Sequence, residues 1–350
     1  MPGRLWIVGA VVLGLFAAVA GFLLVRTDDQ TSFAWAVDHA PAGSQRLSWT
    51  DWAAVRAHER ADVSERSSAD DVRRFLNRAF DDDLSSASAL VTSAPVLQER
   101  FGFSPATVDW ELFSQSTEGA VVMLHLPSAD DLDVVADHLR ELGYTEPEDE
   151  DGVWQGGDNL LARISPALTP ELSYVALDRD DSVVMTSDSP SFLSLATDAV
   201  NGDGERVTGL DPVVDDAGEP LSSAVYTGDY ACGALAMEHA GASDQAQGRR
   251  LLAAVGEVNP YSAFAMSYQA DGSVRVAFAF DSSETARSNA DSRATLARGP
   301  APGQGGTFGE RFTVDSVTAQ GSLVVMTLTP EPDSSVLSDL STGPLLFATC

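Results

Sequence analysis

The sequence predicts an α+β fold, with largely antiparallel sheets, helices on one face, a tandem duplication and one transmembrane helix ahead of it. Three observations lead there: an uncharged apolar run at residues 5–25, four later segments that each read strand, tight turn, strand, helix, and the grouping of those segments in pairs.

The run LWIVGAVVLGLFAAVAGFLLV holds nothing more polar than glycine. As a helix rising about 1.5 Å per residue it reaches roughly 30 Å, the thickness of a bilayer's hydrocarbon core. Arg4 precedes it, and Arg26 is followed by Asp28 and Asp29. Basic residues beside a span stay cytoplasmic. Residues 1–26 are therefore expected as a single-pass anchor of the cell membrane with a cytoplasmic N-terminus, and residues 27–350 as extracytoplasmic. The alternative is a secreted chain with a cleaved leader, since Ala18-Val19-Ala20 and Ala34-Trp35-Ala36 both fit a small-x-small cleavage pattern. Cleavage at the first would leave GFLLV on the mature chain, and the second lies well past the run, so the anchor is the preferred expectation.

Acidic residues number 52 against 21 basic ones, all arginine, for a net charge of −31. A surface so negative repels nucleic-acid phosphates and excludes nucleic acid as a partner. Cys232 and Cys350 are the only cysteines, and an oxidising compartment lets such a pair form a disulfide. In the chain-entropy model a loop of this length gains up to roughly 5 kcal/mol from closure. Two cysteines without a neighbouring histidine pair fall short of a metal-ligand set.

After the anchor, residues 27–45 read as a polar linker and 46–85 as a helical lead-in. The first ordered element is expected over Leu47 to Arg56, where Thr50 or Asp51 can cap a helix carrying Trp52 and Val55, and a second helix from Asp70 to Phe80, with Val72, Phe75, Leu76, Ala79 and Phe80 on one side. Trp49 and Trp52 suit either packing on the domain or a membrane interface. The four recurring segments come next, at residues 108–142, 172–200, 262–297 and 313–340. Three of them carry Val-Val-Met in the second strand, ending at Met123, Met185 and Met326. Their turns contain Glu118-Gly119, Asp180-Asp181, Asp271-Gly272 and Gly321, which suits tight hairpins. Ser128, Ser189, Asp281 or Ser282, and Asp333 stand where the following helices need caps. Ser88-Ala-Leu-Val-Thr and Ser223-Ala-Val-Tyr-Thr read as an additional strand before each pair. Two halves, 86–206 and 221–350, each run strand, helix, hairpin, helix, hairpin, helix, with 207–220 as the linker between them.

Chemistry is harder to find. No nucleophile elbow, zinc-protease motif, phosphate loop or dinucleotide turn occurs, and without lysine no Schiff base forms. The histidines, His39, His58, His125, His138 and His239, are scattered. Two acidic loops, Asn201 to Glu205 and Glu146 to Asp151, lack the spacing of a calcium loop. No cofactor, metal or catalytic residue is expected, and the chain reads as a non-enzymatic, membrane-anchored binding or assembly module with an envelope protein as partner. The alternative is a carrier of a lipid or other amphiphile, with a cavity lined by residues such as Met123, Leu124, Phe278 and Phe280. A hydrolase using two acids, or an acid and His125, is the third reading.

Overall fold

The computed structural model describes residues 30–149 and 152–350. The expected transmembrane helix at residues 5–25 lies outside the described residues, and among the described residues no helix is long and apolar enough to cross a membrane. The described residues thus give no support to the single-pass topology, with its cytoplasmic N-terminus and its membrane partner.

Residues 32–350 form one compact unit. Its first part runs α1 (Ser32–Asp38), β1 (Arg46–Thr50), α2 (Trp52–His58), α3 (Ala69–Asp81), α4 (Ala94–Arg100), β2 (Trp110–Gln115), β3 (Ala120–His125), α5 (Asp130–Leu142) and β4 (Trp154–Gln155). Then come α6 (Asp158–Ile164), β5 (Tyr174–Asp178), β6 (Val183–Ser187), α7 (Pro190–Val200) and α8 (Asp211–Ala217). The second part runs β7 (Ser222–Thr227), α9 (Gly228–Ala234), α10 (Ala242–Val255), β8 (Ala263–Tyr268), β9 (Val274–Ala279), α11 (Ser283–Ala297), β10 (Phe312–Gln320), β11 (Leu323–Pro330) and α12 (Val336–Leu340).

The fold is α+β, but the expected pair of sheets is a single one of eleven strands, in the order β10-β11-β9-β8-β7-β1-β2-β3-β6-β5-β4. Every pairing is antiparallel. The strand at the seam is β1, at the start of the first expected element. Leu47-Ser-Trp49-Thr alternates apolar and polar side chains, the period of a strand buried on one face, and the helix expected after Thr50 or Asp51 begins at Trp52, where Asp51 accepts from the Ala54 amide at 2.8 Å. Leu47 lies opposite Val225 of β7 and Ser114 of β2, so β1 joins the two wings. Residues 88–92, expected as the strand ahead of the first pair of hairpins, are bend and turn.

Helices also cover both faces, not one. On one face the first wing packs α3 to α6 over Val122, Leu124, Val175 and Val184, and the second packs α9, α11 and α12 over Phe264, Met266, Phe278 and Met326. On the other face α1, α7 and α8 cover Leu47, Trp49, Leu112, Met123, Val225, Ala265 and Ala277. Trp49 and Trp52 are both buried in the domain, on opposite faces. Phe80, expected on the buried side of α3, is 58% exposed. At the sheet's ends, β4 has two residues, and β10 carries a bulge between Val314 and Ser316 that leaves Asp315 unpaired and exposed.

Between the two cores of the first face the sheet is polar, with Ser48, Thr50, Glu111 and Ser222 buried there. Glu111 accepts from Trp52 Nε1 at 2.9 Å, Ser88 Oγ at 2.7 Å and the Ala89 amide at 2.6 Å. Burial pushes its carboxyl pKa up, against those donors. The loop it holds places Asp83, in left-handed backbone with φ of 60°, against the start of α12. There the Leu337 and Ser338 amides donate to its carboxylate at 2.6 and 3.0 Å. Asp333, the expected cap, is displaced by an aspartate from the other wing. Ser189 and Ser282 cap α7 and α11 through the Phe192 and Thr285 amides.

Burial raises the Asp83 pKa to about 6, opposed by those amide bonds. A carboxyl raised on folding adds stability that is complete below its unfolded pKa of about 4 and is lost as pH rises through its folded value. Between pH 5 and 7.5 this group should therefore lower the unfolding free energy by about 1.5 kcal/mol. Asp83→Asn keeps an acceptor without the charge. Urea unfolding at both pH values should show that much less loss in the variant than in the parent; equal slopes would contradict the assignment.

Candidate functional site

The second wing buries a full positive charge with no acid beside it among the described residues. Arg293, on the inner side of α11, is 0% exposed. That side also carries Ala286, Ala294, Ala297, Asn289 and Ser292, and its small side chains let the helix lie close to the sheet. The guanidinium stands 4.8 Å from the ring centre of Phe278, 5.1 Å from that of Tyr261 and 5.5 Å from that of Phe280. A cation over desolvated aromatic faces gains about 2 kcal/mol, short of the several kcal/mol its dehydration costs.

Backbone carbonyls supply the remainder. Arg293 Nη1 donates to the Phe347 and Thr349 carbonyls at 2.7 and 3.1 Å, and Nη2 to the Asn259 carbonyl at 2.7 Å. Nε has no hydrogen-bond partner among the described residues. Burial lowers the guanidinium pKa to about 10, so the group stays charged at neutral pH. Tyr261 Oη donates to the Ala348 carbonyl at 2.6 Å.

Three of these four acceptors belong to the C-terminal segment. Residues 345–349 insert under α11, where Leu345, Leu346, Phe347 and Ala348 are buried. Phe347 packs on Phe308 and Phe312, with ring centres 5.1 and 6.2 Å away. Helix α10 lies across Leu346 at Gly248, where an added Cβ would meet Met237 and Leu346 at 3.3 and 3.5 Å. Of all α10 only Gly248 is buried, and Gly241 and Gly256 bracket the helix. Cys350 is joined to Cys232 of α9, with the Cα atoms 5.4 Å apart.

Phe278 and Phe280, named from the sequence as cavity residues, thus border this site, whereas Met123 and Leu124 are packed in the first wing on opposite faces. The open cavity expected between them is filled by protein. Arg293 and Tyr261 were not legible as partners: each contacts residues far along the chain, and α11 has almost no apolar periodicity.

Elsewhere, Trp154 and Leu177 border a surface cavity of about 300 Å³. Its Arg140 is bonded to Asp137 and Glu146 at 2.6 and 2.5 Å, and its Arg179 to Asp133 at 2.8 Å, so carboxylates already answer both cations. His125 Nδ1 lies 3.0 Å from Asp109, with its ring stacked on Trp110, a pair fixed at a strand end. Among the described residues no group of three or more His, Cys, Asp or Glu is placed to hold a metal ion.

No protein-family model matches the chain, and no curated protein matches it. Two solved structures of TP0453, crystal forms I and III, superpose with TM-scores of 0.40 and 0.39 at 6% identity, covering 87% of this chain and 96% and 97% of theirs. A likeness this loose assigns neither a family nor a ligand. The expected membrane-anchored binding module finds no support among the described residues, where no helix is long and apolar enough to span a bilayer.

Removing the guanidinium should loosen the C-terminal segment before the sheet. With Arg293→Met, amide exchange at residues 345–349 should accelerate by at least about tenfold, as each lost charged hydrogen bond contributes about 1.5–3 kcal/mol. Unchanged protection there would show that the segment is held without Arg293.

Proposed function

We propose that this protein is a non-enzymatic carrier of an amphiphilic molecule, held in the apolar interior of the second wing. The observation behind this reading is the set of groups around Arg293: aromatic and aliphatic side chains, one buried cation, one tyrosine hydroxyl, and, packed among them, residues 345–349, which belong to no strand or α-helix. Apolar walls with a few fixed polar groups are the usual make-up of a small-molecule site. The walls would take up a hydrocarbon chain, and the guanidinium would take up a polar head. What surrounds Arg293 is suited to holding, since carbonyls and rings offer neither a nucleophile nor a general base.

Native mass spectrometry of the full chain, incubated with a lipid extract before and after reduction of the disulfide, tests the reading. A mass of lipid size that is retained in at least one redox state and lost on denaturation is the expected result. A bare polypeptide mass in both states would overturn it.

A further inference from the structure

The identity of the ligand and the way its site opens can be taken further, on the basis of the carrier reading. Arg293 and Tyr261 donate to the backbone oxygens of Phe347, Ala348 and Thr349. Neutral carbonyls accept from both Nη atoms but leave Nε without a partner and the charge unbalanced. A carboxylate in their place would accept the same donors and also neutralise the guanidinium, giving shorter and roughly twofold stronger bonds. The side chains of residues 345–348 are meanwhile buried in the apolar core of the second wing, the volume a hydrocarbon chain would take over.

We infer that the C-terminal segment is a displaceable plug, that the ligand is a single-chain carboxylate amphiphile whose head group replaces the segment on Arg293 and Tyr261, and that the Cys232–Cys350 disulfide holds the plug in. The bridge is placed to be reached, since Cys350 is exposed and Cys232 half-buried, while the segment between the bridge and Leu345 is buried. Opening is a thiol–disulfide exchange. A dithiol reductant supplies two electrons and two protons, the Sγ–Sγ bond breaks, both cysteines become thiols, and the reductant closes its own disulfide. Helix α10, resting on Leu346 through Gly248 and bracketed by glycines, yields as the segment leaves. The net charge of −31 disfavours anions at the surface. That repulsion is screened beyond about 8 Å at physiological ionic strength, whereas the buried guanidinium is screened much less.

The experiment measures binding of palmitate, its methyl ester and hexadecyl phosphate to the full chain by displacement of a fluorescent fatty acid. The oxidised parent, the reduced parent, Cys350→Ser, and Cys350→Ser with Arg293→Met are compared, each checked for native secondary structure. Palmitate should bind at least about tenfold more tightly to the reduced parent and to Cys350→Ser than to the oxidised parent. The ester should show no such gain, and the added Arg293→Met should remove it. Equal palmitate affinity in oxidised and opened forms would overturn the plug and leave the carrier reading standing. An equal gain for the ester, or a larger one for the phosphate, would overturn the carboxylate assignment. No binding in any form would overturn plug and carrier together. Because reduction and substitution open the segment by separate routes, a misfolded Cys350→Ser leaves the reduced parent to decide.

Discussion

The pairing of β1 with β7 is the constraint on which this architecture rests. Five residues, Arg46–Thr50, give their backbone to both wings at once, β2 on one side and β7 on the other. A strand in that position has no free edge, so its side chains must satisfy two layers. Leu47 and Trp49 meet the apolar layer, with the Trp49 indole donating to the Pro220 carbonyl at 3.0 Å, while Ser48 and Thr50 fall in the polar strip between the two cores of the other face. Outward from the seam the strands come in matching order, β1, β2, β3, β6, β5 against β7, β8, β9, β11, β10. The helices do not match, for α7 crosses to the second face and α12 stays on the first.

Buried ionisable groups in this acidic chain are answered by the peptide backbone more than by opposite charge. Asp83 accepts from two amides of α12, Glu111 from an amide, a hydroxyl and an indole, and Arg293 donates to three carbonyls. Partners of this kind fix position without neutralising, which keeps each site sensitive to protonation or to a competing ion. Two of the three tie together parts of the chain that lie far apart. Asp83 links the wings and Arg293 holds the C-terminal segment.

Much of the strand content was legible, because two apolar runs around a tight turn form a local pattern. The hairpins β2–β3, β5–β6, β8–β9 and β10–β11 all fall in the four recurring segments. What stayed hidden was non-local. Leu47-Ser-Trp49-Thr is too short to outweigh the helix signal just after it, and whether two hairpin sets form one sheet depends on which strand fills the seam. The side of the sheet a helix takes is not written in its own periodicity: α7 and α12 both come after a Val-Val-Met strand and choose opposite faces. At the site, Phe278 and Phe280 were visible as apolar strand residues. Arg293, in a helix of serines, alanines and charges, resembled a surface residue, and only the folded chain places it under three aromatic rings.

An eleven-stranded sheet has two ends, and both are finished against growth. A long flat edge offers unpaired amides and carbonyls to any neighbouring molecule. Here one end is the two-residue β4, too short to template a partner strand, and the other is β10, broken by its bulge with Asp315 projecting beside it. A second chain approaching β10 would lose register at the bulge, where Asp315 is tied back to Thr329 Oγ1 of β11 at 2.6 Å. Among the described residues the ribbon stops at eleven strands, and a second copy could extend it at β10 only by matching the bulge.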